Sequence, residues 1–322
     1  MDDVPIDWSH PALREYLALV RLQVLTPLSL LINIASVAVC ATLVNPAIQT
    51  ISKLYPTPIS PRPSIILVYV AVIFLMQIGY CALLVVVRKP ETKATLTKAV
   101  GLSLVSANWL MAAWAVAWVF EWFIGATVLA GLQLLFLLYS NISLLIYHAP
   151  TSSRPIDTAL IHAPLRFFFV LQFALLFPLT LFIALGLTNT PMYDGTPVDY
   201  NKYGWPGLGV VVGTQIISLL VVFFRRDIVW CVAATWICVS LWSLRPKAQG
   251  VYIAAIVFTA LHPLALLGAL LRRMLYQRET PNQPIALPGD GHPGLTEEHM
   301  TPSSERQVQG AREIDAEQVW GN

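Results

Sequence analysis

Charge is scarce in this chain. Only 12% of its 322 residues are Asp, Glu, Lys or Arg, about half the share usual in a soluble domain, and they sit in short clusters between long apolar runs. A formal net charge of +2 is too small to suggest a nucleic-acid partner. Cysteine is nearly absent as well. Cys40, Cys81, Cys231 and Cys238 all fall inside apolar runs and make no C-x-x-C pair, which argues against a disulfide framework or a zinc site. No phosphate-cradling glycine loop and no solenoid period is present. The acidic start, MDDVPIDWSH, lacks the basic segment of a cleavable signal peptide or presequence. Within the apolar runs there is no acidic pair, no Ser/His/Asp set, no H-E-x-x-H, no paired-aspartate motif and no lysine suited to a retinal-type linkage. No catalytic residue, metal site or cofactor is therefore expected, and the reading is non-enzymatic.

What the sequence has instead is apolar length. Hydrophobic residues make up 56% of the chain, gathered into repeated runs of the roughly 20 residues a helix needs to cross a bilayer. The expected fold is an all-α, polytopic transmembrane helical bundle with the lipid bilayer as its first partner. Eight spans are expected, near 22–45, 64–87, 100–121, 124–147, 164–186, 206–224, 228–245 and 250–271. The seventh is short and close behind Arg225, Arg226 and Asp227, so a seven-span arrangement with a re-entrant pair is the alternative. Glu121 to Gly125 reads as a tight hairpin turn, with Glu121 as a solvated turn carboxylate.

Residues 1–21 read as a cytosolic segment in which Ser9 and Pro11 start a short interfacial helix. The bundle occupies 22–276. Residues 277–322, polar and rich in proline and glycine, read as a disordered cytosolic tail. Thirteen Lys and Arg residues in or near the loops fall on the side of the N-terminus, against Lys53, Arg62, Lys202, Arg245 and Lys247 on the other. The positive-inside rule then places both termini in the cytosol. The choice between plasma membrane and endomembrane, and self-association into a homo-oligomer, are left open.

One stretch stands out, NWLMAAWAVAWVFEW from Asn108 to Trp122. Trp114, Trp118 and Trp122 recur every four residues and form one helical stripe, with Trp109 on its flank. Such a stripe packs helices together, or walls an aromatic pocket for a flat hydrophobic ligand of the sterol, porphyrin or isoprenoid class. His262, next to Pro263 near the middle of the last span, is the best-placed ionisable group at membrane depth. Asn33, Gln77, Asn108, Gln133, Gln172 and Gln215 read as interhelical clasps, and Gly209 with Gly213 as a point of close helix approach. The candidate ligand-binding set is Asn108, Trp109, Trp114, Trp118 and His262.

The asparagine-then-tryptophan span NWLMAAWAVAWVF, the following hairpin ending in LLIY, and the later RRDIVWCVAATWICVSLW resemble multi-pass relatives of the tryptophan-rich sensory/translocator protein family, over about residues 100–271. The resemblance implies a helical bundle that binds tetrapyrroles or sterols in an aromatic pocket, with Asn108, Trp109, Trp114 and Trp118 inheriting that role. It departs from the family in span number and chain length. The early tryptophan-proline element has only Trp205-Pro206, in a different place. The expected function is binding or transport of a hydrophobic small molecule; the alternative is a structural or adaptor protein that recruits partners through its tail.

Overall fold

The structure, a computed structural model, describes residues 11–87, 90–147, 158–190 and 198–279. Among them there is helix and no strand, the solution open to a backbone that must satisfy its own N–H and C=O groups in lipid. In chain order the helices are α1 (Pro11–Thr42), α2 (Ile48–Leu54), α3 (Pro63–Val86) and α4 (Pro90–Ala94), then α5 (Gly101–Val119) and α6 (Phe123–Tyr147). They continue with α7 (Ala163–Leu171), α8 (Phe177–Ala184), α9 (Gly204–Arg225), α10 (Ile228–Trp242) and α11 (Gln249–Glu279). Wider π-helical turns at Thr95–Val100, Thr158–His162 and Gln172–Leu176 precede α5, α7 and α8. The last two lead directly to Pro164 and Pro178, whose missing N–H groups break the ordinary hydrogen-bond register. The expected interfacial helix is the continuous start of α1, while residues 1–10 and the expected tail from 280 onward lie outside the described residues.

Among the described residues, seven stretches are long and apolar enough to cross a membrane. The remaining expected span, the seventh in chain order, is α10, an apolar helix of 15 residues. At about 1.5 Å per residue it covers roughly 22 Å, against about 30 Å of hydrocarbon. Its two ends are tied toward opposite faces. At the start, Asp227 accepts the Trp230 N–H at 3.1 Å and pairs with Arg166 at 2.7 Å, early in the fifth long stretch. At the finish, the Ser240 carbonyl accepts the Arg62 N–H at 2.8 Å, just before α3. The segment therefore runs without turning back from the start of α7 to the start of α3, although it is shorter than the seven long stretches.

Burial is uneven. In its apolar part, 78% of the residues of Ala159–Ala184 are buried and 61% of those of Thr92–Val119, against 22% for Gln249–Leu275. Two amide clasps tie the dense part together. Asn33 donates to Asn108 and Asn108 to Gln77, both at 2.8 Å, joining α1, α5 and α3. Gln172 donates to Gln133 at 2.6 Å and to the Met111 sulfur at 3.7 Å. Asn141, the asparagine of a glycosylation sequon, is buried in α6 and donates to the Leu137 carbonyl at 2.8 Å.

One expectation about packing is corrected. Gly209 and Gly213 have open space where a Cβ would stand. The close approach on α9 is made at Gly207, whose Cβ would meet Pro58 at 2.6 Å and Val251 at 3.2 Å.

Candidate functional site

On α5, Trp114 and Trp118 are one helical turn apart and share a face. Their rings stack with centroids 5.4 Å apart. The edge of Phe123, at the start of α6, meets Trp118 at 5.6 Å. The two tryptophans form one wall of an apolar cleft. Val37 of α1, Ile66 and Val70 of α3, and Leu175 and Leu179 at the π-turn and α8 supply the others. The cleft encloses about 110 Å³, and about 730 Å³ when the open mouth is included. Leu67, half exposed on the outside of α3, also lines it, so the mouth reaches the lipid-facing surface.

Helix α2 lies across one end through Ile48, Gln49 and Ser52. A seven-residue helix is too short to hold itself in water, and two aromatic side chains fix this one. The Trp118 indole donates to the Ile48 carbonyl at 3.3 Å. The Tyr55 hydroxyl donates to a Glu121 carboxylate oxygen at 2.8 Å, and the Tyr55 ring meets Phe123 edge-on at 4.8 Å. That hydrogen bond to the carboxylate raises the Tyr55 phenol above its usual value. Glu121 is exposed in the turn between α5 and α6, with a left-handed φ of 56°. It is a turn carboxylate, as expected, with an added duty as the anchor of α2.

No charged side chain lines the cleft, and its polar lining side chains are Gln49 and Ser52, apart from the indole groups. The Ser52 hydroxyl is engaged with the Ile48 carbonyl at 3.0 Å. The Trp114 indole N–H is buried and has no partner among the described residues. A buried N–H without an acceptor costs about 1–3 kcal/mol, so an acceptor arriving from a ligand would recover that energy.

The structure separates the five candidate residues. Trp114 and Trp118 line the cleft together. Asn108 is fully buried as the middle of the three-amide clasp. Trp109 is 46% exposed, and Trp122, the expected last ring of the stripe, is 63% exposed past the end of α5. His262 is fully buried on α11, its Nδ1 2.7 Å from the Phe258 carbonyl, against the backbone of Gln215 on α9. None of the residues lining the cleft belongs to α9, α10 or α11.

Sequence reasoning missed α2 as part of the site. Its signal was the pair Ile48 and Ile51 followed by Tyr55, apolar at helical spacing but only two turns long. It also missed Met111, which lies one turn before Trp114 and lines the cleft. In the loop between α10 and α11, the Lys247 ammonium donates to the Pro58 and Ser60 carbonyls at 3.0 and 2.8 Å. Burial pushes that ammonium down to about 7.

No group of three or more His, Cys, Asp or Glu suited to a metal occurs among the described residues. In comparisons with known proteins, a family model described as "TSPO-like protein" matches residues 23–270. No curated protein and no solved structure matches the chain.

Proposed function

The chain belongs to the TSPO-like family, and we propose that this multi-pass membrane protein holds an apolar small molecule in the cleft walled by Trp114 and Trp118. The observation that carries the reading is the apolar cavity itself, bounded by two stacked indoles, one with its N–H unpaired. Small-molecule sites combine such apolar walls with a few placed polar groups.

Chemistry narrows the ligand. A porphyrin brings carboxylates, and no cationic side chain lines the cleft to receive them. A sterol or isoprenoid alcohol needs one polar contact, which the exposed Gln49 amide supplies at the covered end. The enclosed 110 Å³ is below the roughly 300 Å³ of a drug-sized site. The ligand therefore places one edge between the indoles and α3 and leaves the rest in the mouth, next to lipid. Binding or carrying, rather than catalysis, suits a cleft with no titratable side chain. We further place both termini in the cytosol, on the excess of Lys and Arg at that face.

The test is native mass spectrometry of the full chain released from mild detergent, after incubation with a sterol, an isoprenoid alcohol and a porphyrin in parallel. Retention of the sterol or isoprenoid that is lost in Trp114→Ala and Trp118→Ala supports the proposal. Equal retention by folded variants and wild type sinks it.

A further inference from the structure

Pro61, Arg62 and Pro63 lead into α3 in extended form, with Arg62 at φ −71° and ψ 118°. Alternate residues of an extended chain point to opposite sides. Pro61 and Pro63 line the tryptophan cleft, while Arg62 lines a separate open cavity of about 620 Å³ with Trp242, Ser243, Leu244 and Arg245. Two exposed arginines thus line one open space. Neither has an acidic partner among the described residues. Arg245 stacks on the Tyr252 ring, 4.3 Å from its centroid, and donates to the Tyr252 hydroxyl. That leaves most of the five N–H donors of its planar fork unused. The Trp242 indole N–H, at the same wall, is buried and unpaired among the described residues.

The walls are held by contacts that do not use the free guanidinium donors. The Arg62 backbone is bonded to Ser240, and the Lys247 ammonium ties the segment after Arg245 to Pro58 and Ser60. Asn189 donates to the Pro56 carbonyl at 2.7 Å on the same connection. Like charges fixed around one cavity repel one another, and an anion between them turns that repulsion into charge-assisted hydrogen bonds. A planar guanidinium fork matches the paired oxygens of a phosphate.

We propose that this cavity, at the ends of α3 and α10, binds a phosphate-type oxyanion, the chemistry shared by a phospholipid headgroup and free phosphate. It lies across the Pro61–Pro63 segment from the tryptophan cleft and does not depend on that cleft being occupied.

The experiment uses the full chain in bilayer discs of phosphatidylcholine with phosphatidylglycerol, released for native mass spectrometry, and a thermal-stability titration with inorganic phosphate at constant ionic strength. The variants are Arg62→Gln with Arg245→Gln, Arg62→Gln alone, and Lys202→Gln as a control for lost charge elsewhere. Phosphatidylglycerol retained by wild type and Lys202→Gln, and weakened at least about tenfold in the double variant, identifies a lipid headgroup. Stabilisation of wild type by phosphate that the double variant lacks, without selective lipid retention, identifies free phosphate as the ligand. If the double variant fails to fold, Arg62→Gln alone, which keeps its backbone bond, must still weaken one of the two readouts. Variants that retain lipid and respond to phosphate as wild type does, or a Lys202→Gln effect of equal size, overturn the proposal.

Discussion

Around α5, buried amides find one another; between α9 and α11, the buried amide of Gln215 does not. Asn33, Asn108 and Gln77 form a chain, and Gln133 with Gln172 a second pair. On α9, both side-chain polar atoms of Gln215 are buried without a partner among the described residues, while the His262 ring on α11 meets backbone, at Phe258 and Gln215, and no other side chain. Gln215 is the same kind of amide as Gln77, Gln133 and Gln172, and it is as deeply buried. What differs is the number of neighbours, since α5 has helices on several sides while α11 is largely uncovered. A polar group at membrane depth becomes a clasp only where a second one comes within reach. The comparison shows that burial and pairing are separate properties.

The sharpest way to break this contrast is through the dense half. Arg166 and Asp227 are 6% and 4% exposed and pair at 2.7 Å. Removing one partner of such a pair strands a buried charge and costs about 3–5 kcal/mol. Arg166→Ala is expected to lower the thermal stability in detergent more than any amide change, with Arg166→Met/Asp227→Leu recovering part of the loss. A double variant no better than the single one would mean that the pair is not what joins α7 to α10.

A smaller effect is expected from the amides. Asn108→Leu removes two hydrogen bonds at once and should cost about 1–3 kcal/mol. Gln215→Leu, which removes two unpaired polar atoms, should leave stability unchanged or raise it. Equal losses in a thermal melt of the two variants would show that Gln215 has partners of its own and would erase the distinction between the regions.

A further effect concerns pH. Burial holds Lys247 at about 7 in the folded chain, against 10.5 for a free lysine. Between those values the unfolded chain binds the extra proton, so stability rises with pH across that window and is lost again as pH falls through 7. Lys247→Met should flatten the slope; an unchanged slope would mean that the proton is held elsewhere.

Much of this bundle was legible in the sequence because crossing a bilayer demands apolar length. The long runs, the turn at Glu121 and the amide clasp through Asn108 follow from that demand. Other features depend on partners far apart in the chain. Arg166 read as a loop charge and Asp227 as part of a separator, because nothing local shows that they meet. Gly209 and Gly213 have the right spacing for close packing, yet Gly207 is where Pro58 and Val251 arrive. The stripe from Trp114 to Trp122 was read as continuous. Its last ring lies on the surface because the helix ends at Val119. The separation of His262 from the tryptophans rests on helix order in space, which one sequence does not encode.

The brevity of α10 has a consequence for the surrounding lipid. Most of this helix is covered by its neighbours, and it shows the outside chiefly Ile228 and Val232. A bilayer of about 30 Å meets long helices around most of the perimeter and only roughly 22 Å of apolar surface along that one edge. The mismatch is therefore one-sided. Lipid that meets this short helix has less apolar height to match than lipid along the long stretches, so a thicker membrane is expected to thin or tilt along that edge.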